Sequence, residues 1–238
     1  MKALIYKELK LAMHPICYVF IVLFPFMILI PSYPLGIGFI YVLTCYPILF
    51  LGANKGQQSN DLLFSTLLPV RKKDIVMARI FTVIFMQVAF ILVMTALYPV
   101  ARIINNAIAQ SAEKPEEFMI PGLGLDSYVL LVAIALIGYA IADIIFFPIY
   151  YKHGKSIVMS TLFTILGFVV YIGIFTIGLP FIPGLEILNN LHIGIQFGIL
   201  GAAILISFGL HVVVYKVSSK RLEMVDFWVK KQQKAVSI

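Results

Sequence analysis

Long apolar blocks, separated by short polar or basic stretches, constrain the fold of this chain more than any other feature of its sequence. Hydrophobic residues make up 61% of the 238 residues and charged residues only 12%, whereas soluble domains are roughly 45–50% apolar. A membrane-spanning helix needs about 20 mainly apolar residues, so the chain has room for six such helices with short connections. We therefore predict an all-α integral membrane protein with six transmembrane helices.

The polar stretches divide this single transmembrane domain, residues 1–238, into segments. An amphipathic helix at the membrane interface is predicted first, with Lys7 and Lys10 on its polar face; an ordinary basic start to the first span is the alternative. The segments are the interfacial helix at 1–14, spans 1 and 2 at 15–53, a polar segment at 54–74, span 3 at 75–100, an outer loop at 101–126, spans 4 and 5 at 127–178, an outer loop at 179–190, span 6 at 191–215 and a tail at 216–238.

The distribution of basic residues predicts the orientation in the membrane. Of the 18 Lys and Arg residues, only Arg102 and Lys114 fall in segments on one side, and the other 16 fall on the opposite side. Cytoplasmic loops carry the excess of positive charge in membrane proteins. We therefore predict a multi-pass protein of the plasma membrane whose two termini and polar 54–74 segment face the cytoplasm. We attribute the net charge of +7 to these topology-determining residues and do not take it as evidence for a nucleic-acid-binding site.

The polar 54–74 segment is predicted to contain a short helix. Residues 60–68 can form about two helical turns, with Ser59 or Asn60 as the N-cap and Pro69 as the stop. Leu63 and Leu67 are four residues apart and share one face of this helix. A helix this short is not stable alone, so it needs another surface to pack against.

Here the sequence resembles a known family. The run LPVRKKDIV at 68–76, with Asn60 and Asp61 before it and Arg79 after it, is similar to the loop between spans 2 and 3 of type-2 ABC transporter permeases. The string YKELK at 6–10 is similar to the interfacial helix with which these permeases begin. In that family the loop holds a coupling helix, which binds in a groove of a separate ATPase subunit.

The resemblance implies a set of partners and site residues. The partners would be a cytoplasmic ATP-binding-cassette ATPase, which binds ATP and Mg, a second permease copy or paralogue, and membrane lipid. The similarity to small bacterial exporters implies a bacterial source and an amphipathic peptide as substrate, such as a phenol-soluble-modulin-like toxin or an antimicrobial peptide. The implied ATPase-coupling residues are Asn60, Asp61, Leu62, Leu63, Phe64, Leu67, Leu68, Pro69, Arg71, Lys72, Lys73 and Asp74.

The sequence itself carries no motif for catalysis. It has no GxxxxGK[ST] phosphate loop, no HExxH and no GxSxG, which are the patterns that bind nucleotide phosphates, hold a catalytic zinc or present a serine nucleophile. The four histidines are dispersed without the spacing of metal ligands. We therefore expect a chain that is not an enzyme and has no catalytic residue, cofactor or metal of its own.

Asp143 is an acidic residue well inside a predicted span. A carboxylate within a membrane is costly and needs a partner. His211 in the sixth span is predicted at a similar depth, and Lys152 and Lys155 are alternative partners. Such a contact either stabilises one transport state or is a static hydrogen bond between helices; alternatively, the carboxylate extends to the membrane surface without such a partner.

Two other functions stay open at this point. One is a permease that extrudes lipids or drugs, which would differ from a peptide exporter in the compounds that stimulate ATP hydrolysis. The other is a six-span channel or scaffold that works without an ATPase. In that case no ATPase would co-purify with the chain, and a charged substitution at Leu63 or Leu67 would be harmless.

Overall fold

The computed structural model describes residues 2–12, 16–29, 70–111, 128–153, 157–174 and 191–236. Nearly all of these residues are helical, and none of them lies in a strand. The helices are α1 (Lys2–Lys7), α2 (Ile16–Leu23), α3 (Lys72–Ser111), α4 (Tyr128–His153), α5 (Ile157–Gly173) and α6 (Ile193–Val236). A π-helical turn, Glu8–Ala12, continues α1, and a 3-10 segment, Phe24–Leu29, continues α2. For this part of the chain the all-α prediction is confirmed.

Some predicted segments lie outside the described residues. They are the second span, the polar segment up to residue 69, the greater part of the outer loop at 101–126 and the outer loop at 179–190. Six spans and a helix between spans 2 and 3 therefore stay predictions.

Three of the described helices are long and apolar enough to cross a membrane. These candidate spans are Lys72–Ile104, Tyr128–Lys152 and Ile193–Met224. Helix α3 begins before the predicted third span and continues beyond it to Ser111 through Pro99, which does not end the helix. Two shorter apolar helices, Ile16–Phe26 and Val158–Tyr171, fall where the first and fifth spans were predicted. The described part of the chain thus has the helices of a membrane protein.

Helix α4 is the most buried of the three long apolar helices. The apolar part of α4 is 61% buried, against 39% for α3 and 17% for α6, because both α5 and α6 pack against α4. Four buried aromatic side chains follow one another near its carboxyl end. The rings of Phe146 and Tyr150 stack at 5.9 Å, and those of Phe147 and Tyr151 at 6.3 Å. These rings bury much apolar area and give the end of α4 a well-packed environment.

Side-chain contacts show that α3 and α4 are antiparallel. Near one end of the pair, the hydroxyl groups of Thr95 and Tyr128 are 2.8 Å apart. Near the other end, Arg79 Nη1 donates to the Tyr150 hydroxyl at 3.3 Å. The residue number thus falls along α3 as it rises along α4.

Helices α4 and α6 are parallel. His211 contacts Asp143, and further along both helices Arg221 Nη1 donates to the carbonyl oxygen of Pro148 at 2.6 Å. The α3–α4 and α4–α6 directions agree with helices that cross the membrane alternately. The arrangement brings polar side chains of α3, α4 and α6 to the same depth, and this positions the candidate site.

Candidate functional site

The predicted ATPase-coupling residues enter the described structure at the start of α3. Asp74 N donates to the Arg71 carbonyl oxygen at 2.9 Å, and the acidic side chain of Asp74 suits the positive end of the helix dipole. Arg71 and Lys73 are exposed and Lys72 is half-buried; Lys73 Nζ lies 3.7 Å from Glu223 Oε1 of α6. The remaining predicted residues, Asn60, Asp61, Leu62, Leu63, Phe64, Leu67, Leu68 and Pro69, lie outside the described residues.

Three helices meet at the side chain of Asp143, which is fully buried in α4. Gln87 Nε2 of α3 donates to Asp143 Oδ2 at 3.1 Å. His211 Nε2 of α6 lies 2.8 Å from the same oxygen. We call Gln87, Asp143 and His211 the Asp143 cluster. The structure thus places the carboxyl group beside His211; Lys152 is exposed at the end of α4, and Lys155 lies outside the described residues.

The hydrogen-bond partners of His211 determine how many titratable hydrogens Asp143 and His211 hold together. His211 Nδ1 lies 2.7 Å from the carbonyl oxygen of Ser207, one turn earlier in α6. A carbonyl oxygen only accepts, so Nδ1 carries a hydrogen. A second hydrogen must lie between Nε2 and Asp143 Oδ2 if that contact is a hydrogen bond. Wherever that hydrogen sits, the Asp143–His211 pair has no net charge, and a neutral pair is far less costly to bury than an isolated carboxylate.

A second buried polar group lies near the start of α3. Arg79 Nε donates to Glu8 Oε2 at 2.9 Å and Arg79 Nη2 donates to Glu8 Oε1 at 3.2 Å. Glu8 is 4% exposed and Arg79 is 3% exposed. Lys7 Nζ also lies 3.7 Å from Glu8 Oε1. A two-point contact between an arginine and a carboxylate fixes the relative orientation of the two groups as well as their distance.

The contact between Glu8 and Arg79 explains which face of the first helix is buried. Leu4, one turn before Glu8, is also buried, and Tyr6 on another face is 60% exposed. The first helix therefore packs against α3 through Leu4 and Glu8. The sequence signal for this contact was present but indirect: Glu8 is an acidic residue in a basic helix, and Arg79 is a basic residue inside an apolar block. Each needs an opposite charge if it is buried.

Comparison with known proteins identifies the family. Residues 3–220 match the family model described as ABC-2 family transporter protein. No curated protein and no solved structure matched the chain. The family match spans nearly the whole chain and covers α2, α3, α4, α5 and the greater part of α6, so this protein belongs to the ABC-2 family of transporter proteins.

Proposed function

We propose that this chain is the membrane permease subunit of an ABC exporter, that it forms the translocation path, and that a separate ATPase subunit drives it. The family match over residues 3–220 is the observation that carries the proposal. ABC-2 permeases are membrane subunits that normally work with an ATPase partner. The apolar helices α3, α4 and α6 supply the membrane-spanning part of such a subunit.

The proposed contact with the ATPase is the coupling segment at 54–74. Two of its leucines, Leu63 and Leu67, would pack in a groove of the ATPase, and its basic end at Arg71 leads directly into α3. A helix continues as a rigid element over several turns, so a displacement at Arg71 also displaces the residues that follow it in α3. This continuity supports a mechanical role for the segment.

The Asp143 cluster is proposed to stabilise one transport state. Its three members come from three different helices, so a relative movement of α3, α4 or α6 has to break one of the two contacts to Asp143 Oδ2. Breaking them inside the membrane leaves a buried polar group without its partner, which is costly. The cluster would therefore favour the arrangement of helices in which all three members meet.

The proposed substrate is an amphipathic or hydrophobic peptide, such as a toxin or an antimicrobial peptide, and the proposed assembly has two permease subunits in a bacterial plasma membrane. The similarity of the polar segment to that of small bacterial exporters supports both proposals. The predicted outer loops are short, which leaves the membrane helices themselves to contact the substrate. A lipid or drug substrate would be distinguished by which compound raises ATP hydrolysis in reconstituted vesicles.

Co-purification tests the proposed function. A tagged chain is purified from the membranes of its own host, and the purified fraction is examined for a bound ATP-binding-cassette ATPase. We expect the two proteins to co-purify, and we expect Leu63→Asp or Leu67→Asp to abolish the association because each places a charge in an apolar contact. If no ATPase co-purifies with the unaltered chain, the chain is a channel or scaffold that works without one.

A further inference from the structure

We propose that the ion pair between Glu8 and Arg79 is the joint that transmits movement of the coupling segment to the amino-terminal helix and to α4. This inference rests on the proposed function, because it assumes that the ATPase moves the segment at 54–74. The pair is buried and bidentate. It joins residues that are 71 positions apart in the chain.

The position of Arg79 suits it to transmit a displacement. Helix α3 begins at Lys72, within the coupling segment itself, and Arg79 lies two turns further along the same helix. At about 1.5 Å per residue, Arg79 lies only about 10 Å along the axis from the start of α3. No loop separates the two positions, so a shift or rotation of the end of the coupling segment moves the guanidinium group with it.

Arg79 also contacts a third element. Its Nη1 donates to the hydroxyl of Tyr150 at 3.3 Å, near the carboxyl end of α4. One guanidinium group therefore holds the π-helical turn after α1 through two nitrogens and α4 through the third. Contiguous contacts of this kind between rigid elements can carry energetic coupling between distant parts of a protein.

The chemistry of the Glu8–Arg79 pair suits it to fix the relative position of the two helices more than to stabilise the fold. A buried ion pair often adds no stability over apolar side chains of similar volume, because removing both charges from water is costly. The planar fork of arginine, however, matches a carboxylate in one arrangement, which a lysine cannot reproduce. Apolar side chains at positions 8 and 79 could slide past each other, whereas Glu8 and Arg79 cannot without losing a hydrogen bond.

The experiment measures movement of the first helix in the complete complex with its ATPase, reconstituted in lipid nanodiscs. Spin labels are placed at Tyr6→Cys on α1 and Val158→Cys on α5, both at exposed positions, with Cys17 and Cys45 replaced by alanine. The distance between the labels is measured without nucleotide and with ATP and vanadate. The rate of ATP hydrolysis is measured in the same samples.

Three variants make the result specific. In Glu8→Leu combined with Arg79→Met, both charges are removed together, so neither is left buried alone and the protein is expected to fold. Arg79→Lys keeps the positive charge but cannot make the two-point contact with Glu8. Glu223→Gln is the matched control, because it removes the carboxylate of an exposed ion pair with α3, in which Glu223 Oε1 is 3.7 Å from Lys73 Nζ.

We expect ATP and vanadate to change the label distance in the parent complex and in Glu223→Gln. We expect the double variant to lose that change and Arg79→Lys to reduce it. In the double variant we expect the effect of the permease on the rate of ATP hydrolysis to fall about tenfold, within the usual range for coupled sites. If a folded double variant shows the same change in label distance as the parent, the inference is overturned and the proposed function stands. The same conclusion follows if the parent complex hydrolyses ATP without any change in that distance. A parent chain that binds no ATPase overturns both.

Discussion

At the scale of single residues, the two buried polar groups differ in what holds them. Asp143 depends on neutral and titratable partners from α3 and α6, whereas Arg79 depends on a carboxylate from the amino-terminal segment. Asp143 Oδ1 has no hydrogen-bond partner among the described residues. Inside a membrane an unpaired oxygen is less costly on a neutral carboxylic acid than on a carboxylate. The contacts of His211 keep the Asp143–His211 pair neutral as a whole, whichever of the two groups holds the shared hydrogen.

Asp143→Asn removes the carboxyl group of this residue and keeps the size of its side chain. Both contacts are made to Oδ2. With its amide nitrogen at that position, asparagine can donate one hydrogen to His211 Nε2 and the other to Gln87 once the amide group of Gln87 has turned over, so we expect stability to fall by only about 1 kcal/mol. If the cluster acts as a switch, the same variant reduces ATPase stimulation and export in reconstituted vesicles. Unchanged stimulation and export would leave the Asp143 cluster a static contact.

His211→Ala provides the comparison for stability. It leaves the Asp143 carboxyl group buried without one of its two hydrogen-bond partners, so we expect a loss of about 3 kcal/mol in the free energy of unfolding. Thermal unfolding of the purified protein in detergent measures this loss against Asp143→Asn. Equal stability of the two variants would contradict the hydrogen-bond arrangement described here.

Arg79→Ala tests the other buried group in the same way. It leaves the Glu8 carboxylate buried without its two-point contact, so we expect a loss of about 3–5 kcal/mol in the free energy of unfolding. Glu223→Gln, which removes a partner from an exposed ion pair, should cost no more than about 1 kcal/mol. Denaturation of both variants in the same detergent compares them, and similar losses would show that the Glu8 contact is not buried in solution.

At the scale of helices, Gly167 of α5 lies at a close contact with α4. A Cβ atom at Gly167 would overlap the side chain of Ile145 at its terminal methyl group. We expect Gly167→Val to lower the free energy of unfolding by about 1–3 kcal/mol, because added volume displaces Ile145. Gly201→Val is the control, since nothing lies within 4 Å of its Cβ position. A comparable loss at Gly201 would indicate a partner that covers that face of α6.

The sequence predicted the helices better than it predicted their faces. Long apolar blocks are enough to indicate spans, so α3, α4 and α6 fall where the third, fourth and sixth spans were expected. Lipid and protein neighbours are both apolar, however, and a sequence pattern cannot tell them apart. In α6 the buried face carries Gln196 and Ser207, and the exposed face carries Leu205 and Phe208. In a helix of a soluble protein the apolar residues are buried and the polar residues are exposed. The opposite distribution in α6 suits a helix whose exposed face contacts lipid and not water.

The candidate site was predictable only where chemistry restricted the partners. A carboxyl group inside a span needs a polar partner at the same depth, and this argument gave His211, Lys152 and Lys155 as candidate partners of Asp143. The structure places His211 beside it. The contact between Glu8 and Arg79 joins positions 71 residues apart, and nothing in the local pattern of either helix gives their distance. The packing of the first helix against α3 had to come from the structure.

At the scale of the whole molecule, the orientation is still a prediction from basic residues. We expect a membrane-impermeant thiol reagent to label Lys114→Cys, but not Lys220→Cys, in intact cells of a strain with Cys17 and Cys45 replaced by alanine. Permeabilised cells should show labelling at both positions. Labelling of Lys220→Cys in intact cells would place the end of α6 on the outside and reverse the topology.

The central claim is that this membrane chain exchanges energy with a separate ATPase through the segment at 54–74. The most direct measurement is the rate of ATP hydrolysis by that ATPase in lipid vesicles, alone, with the unaltered chain and with the Leu67→Asp chain. We expect the unaltered chain to change this rate and Leu67→Asp to return it to the value for the ATPase alone. The same rate in all three samples would contradict it.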